Sequence, residues 1–146
     1  MGQAMSHLST TADIGIVIVA HGGLARELLA AVQHVVGIQN GVRAVSIDAD
    51  YDRTAKWVEI RDAAMSVDTG SGVAVVVDLH GSSPANLCQA VKGPGARHIL
   101  TGANVPMLLK LMQSRHLPLD EAVQAAVLAG RKYIDGRDLG PGESRL

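Results

Sequence analysis

Phenylalanine is absent from this chain of 146 residues, and aromatic side chains make up only 2% of it. So few flat rings exclude a surface that grips single-stranded nucleic acid by base stacking. They also leave the core to Val, Ile, Leu, Ala and Met, the palette of buried parallel strands and the helices that cover them. The single cysteine, Cys88, rules out an intrachain disulfide, and no Cys-x-x-Cys pair offers a zinc site. That usage fits a reducing, cytoplasmic setting. Long charge runs are missing as well, with 13 basic residues against 14 acidic ones and a formal net charge of −1. The electrostatic footprint of a nucleic-acid binder is therefore lacking. No apolar run approaches the ~20 residues of a membrane span. The start, Met1 to Thr11, is small and polar, without the basic and then apolar order of a secretory signal.

What is present is a chain with 47% hydrophobic residues, enough for the core of one compact domain. Its pattern alternates. Ile14–Ala20 is a β-branched run that reads as a strand buried on both faces. Leu24–Val36 carries apolar residues at helical spacing and charge at Arg26 and Glu27, with Gly37 as a stop. Val42–Ile47 and Val73–Val77 read as further strands, separated by a helix over about Arg53–Val67. Ser83-Pro84 has the form of an N-cap followed by proline in the first turn, opening a helix to about Lys92. Arg97–Gly102 is a fourth short strand. Helices follow from Asn104-Val105-Pro106 to about Arg115 and from Pro118 to near Gly130. Lys132–Leu139 is read as a final edge strand.

This alternation predicts an α/β fold, an open, mostly parallel, doubly wound sheet with helices on both faces. The domain is expected over residues 13–139, with a flexible extension at 1–12 and a flexible tail at 140–146. Ligands of such sheets bind beyond the carboxyl ends of the strands, where strand order reverses. Three loops place chemistry at that edge: Ala20-His21-Gly22-Gly23, Asp78 through Pro84, and Thr101 through Pro106.

His21 ends an apolar strand and precedes two glycines and a helix. Gly22 and Gly23 let backbone approach a ligand, and the helix start presents free N–H groups and a positive dipole end. An anion on His21 would meet donors there without any lysine. The Asp78 carboxylate can accept a hydrogen bond from one ring nitrogen, fixing the tautomer and leaving the other nitrogen free to attack phosphorus. Gly81, Ser82 and Ser83, at a second helix start, are expected to hold phosphate oxygens. His80, Asn104, Pro106 and Met107 are expected to line the site.

Each of these signals also has an ordinary structural meaning. A histidine after a strand is often a bonded loop residue, an aspartate a turn former, and Ser-Pro a plain cap. Their coincidence on one edge is what favours function. His7, His34, His98 and His116 fall outside that edge, and Trp57 on its charged helix reads as a packing or interface residue.

The residues that carry these signals also resemble a known family. Gly15 through Ala25, with His21 at its centre, looks like the opening of mannose-type enzyme IIA domains of the bacterial phosphoenolpyruvate:sugar phosphotransferase system. Asp68-Thr69-Gly70 through Asp78, then Gly81-Ser82-Ser83-Pro84, looks like that family's second signature. Thr101-Gly102-Ala103-Asn104-Val105-Pro106-Met107-Leu108 looks like its third. The likeness covers roughly Ile14 to Ile134, and three ordered matches are far more specific than one.

The resemblance implies a phosphoryl group arriving from the phosphocarrier HPr onto His21, through Nε2, and leaving to a IIB partner and then a sugar. It implies that Asp78 bonds the other ring nitrogen. It also implies a homodimer formed by exchange of an antiparallel C-terminal strand, here around Lys132–Leu139, and contact with the membrane only through IIC and IID partners. The chain departs from the family's usual Gly-Gly-Ser-Pro at Ser82, and His80 stands where an aromatic or apolar residue is common. The first alters local phosphate geometry and the second the surface offered to a partner.

Other readings compete. The phosphotransfer subunit of phosphoenolpyruvate-dependent dihydroxyacetone kinase has a related domain, but its loop tends to be Ser-His-Ser. A regulatory phosphoprotein without a transport role would carry the same His21. A metal hydrolase would need more than His21, Asp78 and His80, since no HxH or HExxH motif occurs. A serine hydrolase lacks the second glycine of a nucleophile elbow, and no glycine-lysine loop supports direct nucleotide use. No cofactor and no metal are expected.

Overall fold

The structure is a computed structural model, and it describes residues 13–79, 86, 88, 92–93 and 95–142. The described residues form, in chain order, β1 (Gly15–His21), α1 (Leu24–Val36), β2 (Val42–Ile47), α2 (Arg53–Val67), β3 (Val73–Val77), β4 (Arg97–Thr101), α3 (Val105–Gln113) and α4 (Leu119–Lys132). Asn86 and Cys88 are also helical, within the segment read as a helix. The Ser83-Pro84 cap itself lies outside the described residues.

The sheet is parallel throughout, in the order β2-β1-β3-β4. Val and Ile dominate β1 and β3, and every residue of β3 is buried. A strand covered on both faces needs such a continuous apolar run. Ile16, Ile18 and Ala20 pack with Leu28, Val32, Leu108, Leu111 and Ala122 on the face of α1, α3 and α4. Val17 and Val19, which point the other way, pack with Ile60, Ala64, Val67 and Cys88 on the face of α2. The period of two along β1 thus divides one strand between two cores.

Local chemistry ends and starts the helices where the sequence indicates. The Asp52 carboxylate accepts from the Ala55 amide at 3.0 Å and caps α2. Gly37 at φ 89° closes α1. Gly15 has no room for a side chain, because a Cβ there would meet Val67 Cγ2 at 2.7 Å. At the opposite edge from the strand ends, the buried Arg115 guanidinium donates to the carbonyls of Ile14 (2.8 Å), Asn40 (2.6 Å) and Gly41 (3.4 Å).

One expectation differs from the single chain. Lys132 is the last residue of α4 rather than the first of a strand, and residues 133–139 have no regular secondary structure. Ala, Leu and Gln favour helix through this stretch, and Arg131 and Lys132 suit the negative end of its dipole. A strand needs a neighbour to pair with. Beyond Lys132 the chain meets none among the described residues, and Ile134 and Leu139 are 76% and 91% exposed.

Candidate functional site

The chain enters the sheet at β1, moves outward to β2, and returns to the other side of β1 as β3. Strand order reverses between β1 and β3, and the carboxyl ends of strands at such a point are where ligands of open α/β sheets bind. His21 is the last residue of β1 and Asp78 directly follows β3, so the topology sets them side by side.

Their contact is double. His21 donates to Asp78 Oδ2 from its backbone amide at 3.0 Å and pairs with the same oxygen through ring Nδ1 at 2.8 Å. The aspartate side chain is only 9% exposed and the imidazole 50%. Burial opposes ionisation of Asp78, but the His21 amide, its ring and their field outweigh it, and the carboxyl lies below its ordinary value. An ionised Asp78 can only accept, so Nδ1 carries the proton and Nε2 keeps its lone pair. With Nδ1 held inward and half of the ring in solvent, Nε2 is the nitrogen open to a reactant.

Gly22 follows at φ 57°, a left-handed conformation that favours glycine, and its amide donates to the Ile47 carbonyl at 2.9 Å. This bond ties the turn to the end of β2. Gly23 is the N-cap of α1, and its carbonyl accepts from the Glu27 amide at 3.2 Å. As Gly23 brings no side chain to cap the helix, its first amides stay available to an anion. Leu24 and Leu79, each close to the pair in sequence, are 42% and 56% exposed.

The third loop is held differently from the other two. The Asn104 side chain accepts from the Met107 amide and donates to the Gly130 carbonyl, both at 2.9 Å, so it caps α3 and fastens it to α4. Met107 is buried in the core. Pro106 lines an apolar groove between α3 and α4, together with Leu109, Leu128 and Tyr133. His80, Gly81, Ser82 and Ser83 lie outside the described residues.

Arg26 was legible only as a helical charge. It is exposed, and its Nη2 stands 3.7 Å from where a Cβ on Gly23 would be. Among the described residues no three His, Cys, Asp or Glu side chains form a metal cluster. No described helix is long and apolar enough to cross a membrane.

Two kinds of likeness bear on this geometry. The family model described as "PTS system fructose IIA component" matches residues 15–128, which takes in β1 with His21, Asp78, α1 to α3 and most of α4. The chain belongs to this family. It is a phosphotransferase-system IIA component of the mannose type.

Among curated proteins, the mannose-specific EIIAB component of Escherichia coli K12 is 30% identical over 125 residues, covering 83% of this chain. The chain spans only 38% of that relative's length. Among solved structures, EIIA from Streptococcus agalactiae superposes with a TM-score of 0.76 at 23% identity, covering 84% of this chain and 96% of that one. The mannose/sorbose-specific IIA subunit from Enterococcus faecalis gives 0.75 at 22% identity, with coverage of 90% and 99%. At such identities the likeness speaks for the fold, an α/β sheet of the IIA type.

Proposed function

We propose that this IIA domain accepts a phosphoryl group on His21 Nε2 from HPr and passes it to a IIB protein during sugar uptake. The observation that carries the reading is the double contact between His21 and a buried, ionised Asp78, which leaves one nucleophilic nitrogen facing solvent.

The chemistry follows from that pair. As Nε2 attacks phosphorus, the donor's P–N bond breaks and a new one forms, while Nδ1 keeps its proton. The ring gains positive charge, and the Asp78 carboxylate at 2.8 Å stabilises it. The same charge makes the ring a good leaving group when the acceptor attacks. Asp78 therefore supports both loading and unloading without changing its own protonation. The α1 amides behind Gly22 and Gly23 take phosphate oxygens from one side. Gly81, Ser82 and Ser83 are assigned the other side, with His80 at its margin, on the strength of their motif.

Dimer formation is part of the same reading. Residues 132–139 of one protomer would pair antiparallel with β4 of the other, which is the last strand of the sheet among the described residues. The exposed apolar Ile134 and Leu139 support this, because pairing would cover them. Truncation after Lys132 should then leave a monomer in size-exclusion chromatography.

The deciding experiment supplies phosphoenolpyruvate, enzyme I and HPr to the purified chain. One acid-labile phosphate per chain is expected, and His21→Ala should abolish it. Label that survives His21→Ala overturns the assignment.

A further inference from the structure

We propose that the Arg26 guanidinium binds the phosphoryl group carried by His21, as a phosphate-positioning cation of the site; this rests on the His21 reading above.

Three observations lead there. First, Arg26 Nη2 sits at the bare backbone of Gly23, two residues beyond His21, in space that a side chain at 23 would border at 3.7 Å. The guanidinium is thus folded back over the first turn of α1, beside its N-cap, and not extended away along the helix. Second, Arg26 is exposed and makes no ion pair among the described residues, so its donors are uncommitted. Third, its position is a poor one for the helix. Arg26 lies in the first turn of α1, where the dipole and the free amides repel a cation. Helix stability does not account for an arginine at this place, whereas an anion bound at the same turn does.

The physical consequence is specific. A phosphoryl group on Nε2 bears close to two negative charges and several acceptor oxygens, a good match for a planar fork of N–H donors. Bound between the α1 amides and Arg26, its charge is offset at Nε2, while Asp78 holds Nδ1 on the other side of the ring. Glu27, in the same turn, is the carboxylate that opposes this, and Arg26 offsets its field at the phosphate. Because Arg26 is exposed, the contribution is moderate and falls with salt.

The test uses phosphoramidate, a small donor that loses ammonia as its PO₃ passes to an imidazole nitrogen, so no protein docking enters the measurement. Arg26→Gln should label His21 about five-fold more slowly, equivalent to about 1 kcal/mol at the barrier. Arg26→Lys should recover most of the rate, and raising ionic strength should bring wild type toward the glutamine variant. Thermal stability of Arg26→Gln should hold or rise, the opposite of what loss of a structural residue gives. Equal labelling rates and equal salt dependence for wild type and Arg26→Gln overturn the role of Arg26 while leaving His21 in place. Absence of any label on wild type, from phosphoramidate and from HPr alike, overturns the underlying reading and this inference with it.

Discussion

Asp78 Oδ2 accepts two hydrogen bonds from one residue, the amide and the ring of His21, at 3.0 and 2.8 Å. The amide bond registers the carboxylate against the end of β1, and the ring bond then inherits that register. The tautomer of the imidazole is in this way set by the backbone as much as by the side chains.

Asp78→Asn keeps the shape but offers a neutral amide that can also donate, so the Nδ1 proton is no longer assured. Phosphorylation of His21 should slow on the order of 10²-fold. Far-ultraviolet circular dichroism should stay that of wild type. A rapid-quench labelling series checks both the rate and the site.

Acid should weaken the fold through two carboxyls. Asp68 is held below its usual 3.8 first by the Gly70 amide and then, against burial, by Arg97 at 2.8 Å. Asp78 lies low for the reasons given above. A carboxyl with a lowered folded value stabilises fully above its unfolded value and loses that stabilisation as pH falls through the folded one. Urea titrations of Asp68→Asn should therefore show a deficit against wild type near pH 6 that closes below about pH 4.

Cys88 gives a chemical reporter of folding. Burial pushes its thiol up to about 12, which leaves almost no thiolate at pH 8. Iodoacetamide should modify the native chain at least about 100-fold more slowly than the chain in denaturant. Since Cys88 is the single cysteine, mass spectrometry reads the result without ambiguity.

Arg115→Ala would take the guanidinium donor from the carbonyls of Ile14 and Asn40 at the buried base of the sheet, while the Gly41 carbonyl would keep the Ile16 amide. A loss of about 3 kcal/mol is expected in chemical denaturation. Phosphorylation of whatever remains folded should be close to normal, because this edge is opposite the strand ends that carry His21.

Asn104→Ala removes both the cap of α3 and its tie to Gly130. It should lower stability by about 1–2 kcal/mol. Its effect on labelling separates a structural role from contact with the phosphoryl group.

Much of this was readable along the chain. The β-branched runs of β1 and β3 and the helical spacing of α1 are local patterns, and each element formed where its pattern lies. His21 and Asp78 were legible because a turn signal follows a buried strand in both cases. Met107 and Asn104 were harder, since helix-start residues read alike whether their side chains face a ligand or the neighbouring helix. Arg26 was read only as amphipathic charge, though a cation in a first turn was itself a signal.

By itself the sequence determined which segments are strands and helices, because hydrophobic period and capping act over a few residues. It also singled out His21 and Asp78, the two residues of the proposed site. Only the tertiary structure decided that strand order reverses between β1 and β3, and so brought together two residues 57 positions apart. It alone decided that one carboxylate oxygen meets both donors of a single histidine. Such pairings depend on how the whole sheet packs and registers, and no local stretch of the chain encodes that.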